Sequence, residues 1–64
     1  MKEIEKRYRK NLNEIKSNVN LLNTKLEKHN KKFEVNNTNW GYVGDLGYIN
    51  EKLNEIVTFL KVEK

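Results

Sequence analysis

The feature that most constrains this chain is a heptad repeat of apolar residues along its first half. Apolar side chains recur in alternating steps of four and three from Tyr8 to Leu26, and His29 and Phe33 continue the spacing. This pattern predicts one long helix with a narrow apolar stripe, and such a stripe needs a partner surface. We call these positions the heptad stripe: Tyr8, Leu12, Ile15, Val19, Leu22, Leu26, His29 and Phe33.

The first helix is predicted over residues 2–32. No Gly or Pro interrupts this range, and its Leu, Glu, Lys and Arg residues offset the many Asn residues, which disfavour helix interiors. Residues 36–39 read Asn-Asn-Thr-Asn, which are residue types of turns and helix caps. We therefore predict a linker over residues 33–44.

A second apolar period begins at Leu46 and runs to Leu60, again in steps of three and four. It predicts a shorter helix over residues 45–62. Asp45 stands where an N-cap would stand, because its carboxylate can accept hydrogen bonds from the first free backbone N–H groups. A start nearer Asn39 stays open as an alternative.

These elements predict an all-α fold, an antiparallel hairpin of one long and one shorter helix in a single domain over residues 1–64. A helix of ~18 residues is ~27 Å long, so it covers only about residues 15–33 of the first helix. Ile4, Tyr8 and Leu12 are then left without cover. With no Cys in its 64 residues to form a disulfide, the hairpin is expected to be completed by dimerisation or by a partner protein.

Composition and charge narrow the functional class. Residues 1–32 carry ten Lys or Arg and four Glu, a net charge of +6, within a chain of net charge +4. There is no apolar run of ~20 residues and no signal-peptide pattern at the first residues, so we expect a cytoplasmic protein without membrane contact. His29 is the single histidine, and no suitable nucleophile lies near it. We expect a half-buried His29, no enzyme activity, no metal, no cofactor and no small-molecule substrate.

Two groups of cations lie on the first helix. We call the first the basic cluster: Lys6, Arg7, Arg9 and Lys10. The second comprises Lys25, Lys28, Lys31 and Lys32. Both are consistent with solvated helix faces or with contacts to a phosphate backbone. The basic cluster is the stronger candidate for binding, because it shares its segment with the uncovered part of the heptad stripe.

The segment 40–48 holds all three glycines, at a spacing of three, together with the only Trp. Such glycines permit positive φ at a corner or a close approach of two helices. One interpretation is a hairpin corner in which Trp40 and Tyr48 cap the end of a small bundle. The other is an aromatic platform on which Trp40 and Tyr42 stack bases or anchor a protein.

Residues 39–60, with Asn-Trp-Gly-Tyr-Val-Gly-Asp-Leu-Gly-Tyr-Ile-Asn-Glu at their start, resemble small proteins of bacterial plasmids, phages and integrative elements. Some of these are similar to the middle protein of cassette-chromosome replication operons. The resemblance implies an accessory subunit that binds an A-family DNA polymerase and single-stranded DNA and supports primer synthesis. It assigns no role to an individual residue.

The leading hypothesis is therefore a binding module of a mobile genetic element that docks on a polymerase-type partner and contacts single-stranded DNA. The alternative is a homodimeric four-helix bundle with a regulatory or structural role and no nucleic-acid contact. An inhibitor of a host enzyme stays open as a third function. The expected nucleic-acid-binding residues are Lys6, Arg7, Arg9, Lys10, Trp40 and Tyr42. The expected partner-binding residues are Tyr8, Leu12, Trp40 and Tyr48.

Overall fold

The computed structural model describes residues 2–62, and these residues form two helices and no strand. Helix α1 spans Lys2–Val35 and helix α2 spans Trp40–Val62. The prediction of an all-α fold with one long and one shorter helix is confirmed. The chain divides into two units, Met1–Lys32 and Phe33–Lys64.

Helix α1 continues to Val35, beyond the predicted end at residue 32. Phe33, the last residue of the heptad stripe, therefore lies in its final turn. The backbone N–H of Asn36 donates to the carbonyl of Phe33 at 3.1 Å. This bond spans three residues, the tightened geometry that commonly satisfies carbonyl groups at the end of an α-helix.

The linker comprises only residues 36–39, so the predicted linker over 33–44 is wrong. Asn39 donates its backbone N–H to the carbonyl of Asn36 at 3.4 Å, and its side-chain Oδ1 accepts from the N–H of Gly41 at 2.8 Å. Asn39 is thus the N-cap of α2. The prediction of Asp45 as N-cap is wrong, because Asp45 lies inside the helix, and the alternative start near Asn39 is the one observed.

The glycines of the segment 40–48 lie inside α2 rather than at a corner. No described residue has positive φ. A Cβ added to Gly44 or Gly47 would meet no other described atom within 4 Å, whereas one added to Gly41 would lie 3.0 Å from Oδ1 of Asn39. Within residues 2–62, no positive φ therefore requires glycine at positions 44 and 47, so the predicted role at a corner is wrong there and the predicted close approach of two helices stays a prediction.

None of the described side chains is buried. Half-buried positions fall largely on the two apolar periods: Leu12, Leu22, Leu26, His29, Phe33, Tyr42 and Ile49. His29 is half-buried, as its place on the heptad stripe predicts. Because apolar burial is the main favourable term in folding, residues 2–62 by themselves gain little of it.

Substitution of Asn39 tests the cap. Asn39→Ala removes the acceptor for the N–H of Gly41, so we expect the free energy of unfolding to fall by about 1 kcal/mol. Urea unfolding followed by circular dichroism at the helical band measures the change. Asn36→Ala is the matched control, because no hydrogen bond of the Asn36 side chain to another described residue is present. Equal effects of the two variants would contradict the assignment.

Candidate functional site

The first half of α1 carries a row of exposed apolar side chains. The exposed fraction is 72% for Ile4, 67% for Tyr8, 57% for Ile15 and 50% for Val19, while Leu12 is half-buried. This row of apolar side chains on α1 runs from Ile4 to Val19 and includes Ile4, Tyr8 and Leu12 of the predicted overhang. We call these five positions the exposed stripe.

Between Tyr8 and Val19 the edges of the exposed stripe carry no acidic residue, whereas Glu5 lies beside Ile4. In the heptad, positions e and g border the apolar seam. Between Tyr8 and Val19 these positions are occupied by Arg9 and Lys16 on one side and by Asn11 and Asn18 on the other. The exposed stripe is thus bordered by cations on one edge and by amides on the other.

Part of the basic cluster lies in one shallow groove on α1. Lys6, Arg7 and Lys10 line this groove together with Glu3 and Asn11. Arg7 Nε donates to Glu3 Oε2 at 2.7 Å, an exposed pair one helical turn apart. Arg7 is therefore partly neutralised, and the groove offers chiefly two lysines to an anion.

Arg9 does not line this groove. At position e it borders the exposed stripe instead, where a partner covering the stripe would meet it. The structure thus brings three of the four predicted phosphate-binding residues together and places the fourth beside the apolar surface.

The aromatic residues at the start of α2 differ in exposure. The exposed fraction of Trp40 is 81%, whereas Tyr42 is half-buried. The ring of Tyr42 meets the ring of Phe33 edge to face, with centroids 6.4 Å apart and planes at 81°. The indole is thus open to a second molecule, and the interpretation of Trp40 as the cap of a bundle stays a prediction.

A recess lies beside Trp40, and we call it the linker recess. Its apolar lining is Phe33, Trp40 and Val43, and its polar lining is Asn37, Thr38 and Asn39. All six belong to the second unit, from the last turn of α1 through the linker to the first turn of α2. Tyr42, predicted to stack bases with Trp40, does not line it.

Tyr48, a predicted partner contact, is exposed on α2. The ammonium group of Lys52 lies 5.5 Å from the centroid of its ring, a cation–π distance. Lys52 Nζ also lies 3.4 Å from Glu55 Oε2. One face of the Tyr48 ring is thus approached by a cation within its own helix, which leaves less of the ring for a partner.

The sequence alone does not predict a functional role for four residues of the linker recess: Phe33, Asn37, Thr38 and Val43. Phe33 is predicted only as a member of the heptad stripe, and Asn37 and Thr38 only as turn formers. The sequence feature that could indicate the linker recess is the run of amide and hydroxyl side chains directly before Trp40.

The part of the chain that the structure describes holds neither a metal-binding cluster nor a membrane-spanning helix. Among residues 2–62 there is no group of three or more His, Cys, Asp or Glu side chains that could hold a metal ion. Neither of the two helices, over the same residues, combines the length and apolar character needed to cross a bilayer. In comparisons with known proteins, no family model, no curated protein and no solved structure matches this chain.

Proposed function

We propose that this chain is a small, non-enzymatic accessory protein of a mobile genetic element that docks on a protein partner and contacts single-stranded DNA. The resemblance of residues 39–60 supports an A-family DNA polymerase as the partner and support of primer synthesis as the role. The surface for the protein partner is the exposed stripe. Lys6 and Lys10 supply the contacts to phosphates, and Arg9 adds a third where no protein partner engages it.

The observation that carries the proposal is the exposed stripe itself. Full burial of an aliphatic or aromatic side chain is worth about 1.5 to 3 kcal/mol relative to exposure. Ile4, Tyr8, Ile15 and Val19 are half or more exposed, and no described side chain is buried. A second molecule that covers this row gains the burial that residues 2–62 do not obtain by themselves.

The edges of the exposed stripe favour a particular partner chemistry. Arg9 and Lys16 on one edge would meet residues of the partner that border its own apolar seam. Acidic residues of the partner opposite Arg9 and Lys16 would be attracted to them. Asn11 and Asn18 on the other edge are uncharged, so they would not repel charged residues of the partner. The partner surface is therefore expected to be apolar with at least one acidic border.

Single-stranded DNA binding is tested by its salt dependence. Because Glu3 engages Arg7, we expect about three phosphate contacts, and affinity should fall roughly 20-fold between about 50 and 200 mM salt. Fluorescence anisotropy of a labelled single strand measures this fall. A plot of the logarithm of the affinity against the logarithm of the salt concentration gives the slope of this dependence. The double variant Lys6→Gln with Lys10→Gln should have a shallower slope.

The matched control for that measurement is Lys28→Gln with Lys31→Gln, which removes the same charge from the second group of cations. It should leave most of the slope in place. An affinity that does not change with salt concentration would contradict the role assigned to the basic cluster. An equally reduced salt dependence in both double variants would also contradict it.

The second candidate is a homodimer in which another copy of the chain covers the exposed stripe. In a parallel pair of α1 helices, a residue at position g faces the residue five positions later in the partner. Lys16 would then face Asn11, and Lys25 would face Asn30, so no like charges meet. Sedimentation velocity separates the candidates, because a stable dimer at micromolar concentration supports the homodimer and a monomer supports a different partner.

A further inference from the structure

The linker recess combines a flat aromatic surface with hydrogen-bonding groups. Phe33, Trp40 and Val43 supply the apolar part of its lining, and the indole of Trp40 is largely exposed. A ligand that suits it must present a flat face to the indole. It must also present a polar edge to the amide and hydroxyl side chains of the linker.

The polar side chains of the linker recess are not equivalent. Asn39 Oδ1 is engaged by the N–H of Gly41 as the helix cap. By contrast, no hydrogen bond of the Asn37 amide or the Thr38 hydroxyl to another described residue is present. An amide carries both a donor and an acceptor, and a hydroxyl can act as either. Asn37 and Thr38 are thus the groups available to a ligand.

We propose that the linker recess binds one base of a single nucleic-acid strand, with Trp40 stacked on the base and Asn37 hydrogen-bonded to its edge. This inference rests on the proposed function and identifies its base-binding position. It replaces Tyr42, which is half-buried with its ring edge-to-face against Phe33, as the partner of Trp40 in base contact.

The chemistry of Asn37 also specifies a preferred base. An Asn amide pairs with adenine through two hydrogen bonds, one donated and one accepted. Stacking on an aromatic ring is tolerant of sequence, since every base has a flat face. We therefore expect any base to stack on Trp40 and adenine to bind most tightly. A side chain of a protein partner is the competing occupant. A base suits the linker recess because its flat face matches the mainly apolar lining and its edge can bond the few polar groups there.

The test uses the intact chain and its own fluorescence. Trp40 is the only Trp, so indole emission reports on the linker recess directly. The probes are a deoxyadenosine strand of about 12 nucleotides and an abasic strand of equal length. Anisotropy of a label on the strand reports total binding. We expect the adenine strand to quench the indole and the abasic strand to bind without quenching.

Two pairs of variants complete the test, with helicity checked by circular dichroism in each. Asn37→Ala should weaken binding of the adenine strand about tenfold, whereas Asn36→Ala, its neighbour outside the recess, should leave affinity unchanged. Trp40→Leu should weaken binding in the anisotropy assay, and Trp40→Phe should restore part of it. Phe59→Leu, an exposed aromatic control on α2 with no site role, should not weaken it.

The contrary outcomes separate this inference from the proposed function. Salt-dependent binding of both strands with unchanged indole emission would overturn the base-binding recess and leave the proposed function standing. Absence of binding by either strand at low salt would overturn both. Indole quenching by a purified polymerase but not by the adenine strand would assign the recess to a protein contact and overturn the inference. Equal affinities of Asn36→Ala and Asn37→Ala would do the same.

Discussion

Replacing Ile15 and Val19 together by glutamate is expected to weaken binding to the protein partner at least about 100-fold. Each substitution removes an apolar group that the partner would bury and places a charge in the same contact. In the unbound chain both side chains are half or more exposed. Glutamate also has a better helix propensity than isoleucine or valine, so α1 itself should remain helical.

The measurement is the dissociation constant of the purified chain for a purified A-family DNA polymerase, the proposed partner, by biolayer interferometry. Sedimentation velocity of the chain alone tests whether the same substitutions disrupt a homodimer. Asn13→Glu with Ser17→Glu is the matched control, because it adds two negative charges one turn apart on α1 but away from the stripe. Retained binding in the Ile15 and Val19 variant would show that another surface makes the contact.

Replacing Gly44 and Gly47 together by alanine is expected to stabilise the chain by roughly 2 kcal/mol, about 30-fold in the folding equilibrium. Glycine in a helix interior is about 1 kcal/mol less favourable than alanine. Because a Cβ at either position would meet no described atom within 4 Å, the gain in helix propensity is not offset by a clash. Urea unfolding monitored by circular dichroism measures the gain.

Gly41→Ala is the contrasting variant. An added Cβ would lie 3.0 Å from Oδ1 of Asn39, the atom that caps α2. The capping side chain must shift by a few tenths of an ångström, so the gain should be smaller than at Gly44. A loss of stability in the Gly44 and Gly47 variant would mean that a second molecule packs against these positions. The loss would then grow with protein concentration.

The helices could be predicted because periodic apolar spacing acts over many residues. The heptad stripe predicts α1 from Tyr8 onward whatever the local propensities, and Leu46 to Leu60 predict α2 in the same way. The predicted start of α2 at residue 45 is wrong, because the glycine spacing suggests a corner where the chain is already helical. Glycine lowers helix propensity by about 1 kcal/mol without forbidding a helix, and the cap from Asn39 offsets part of that deficit.

The linker recess could not be predicted, because it forms only when the turn at residues 36–39 is closed. Its lining comes from the end of α1, the linker and the start of α2, and no spacing rule relates Phe33 to Val43. Comparing the lengths of the two helices, by contrast, predicts Ile4, Tyr8 and Leu12 of the exposed stripe but not Ile15 and Val19. The separation of Arg9 from the groove of Lys6 and Lys10 required the helix geometry.

The absence of buried side chains among residues 2–62 has a consequence for the lifetime of the chain in a cell. Proteases cut segments that open transiently, and the rate follows the population of opened chains. We expect a chain with so little apolar burial to open often unless the proposed partner holds it. Copies in excess of that partner are then expected to be degraded, so the steady-state amount of this protein should follow the supply of the proposed partner.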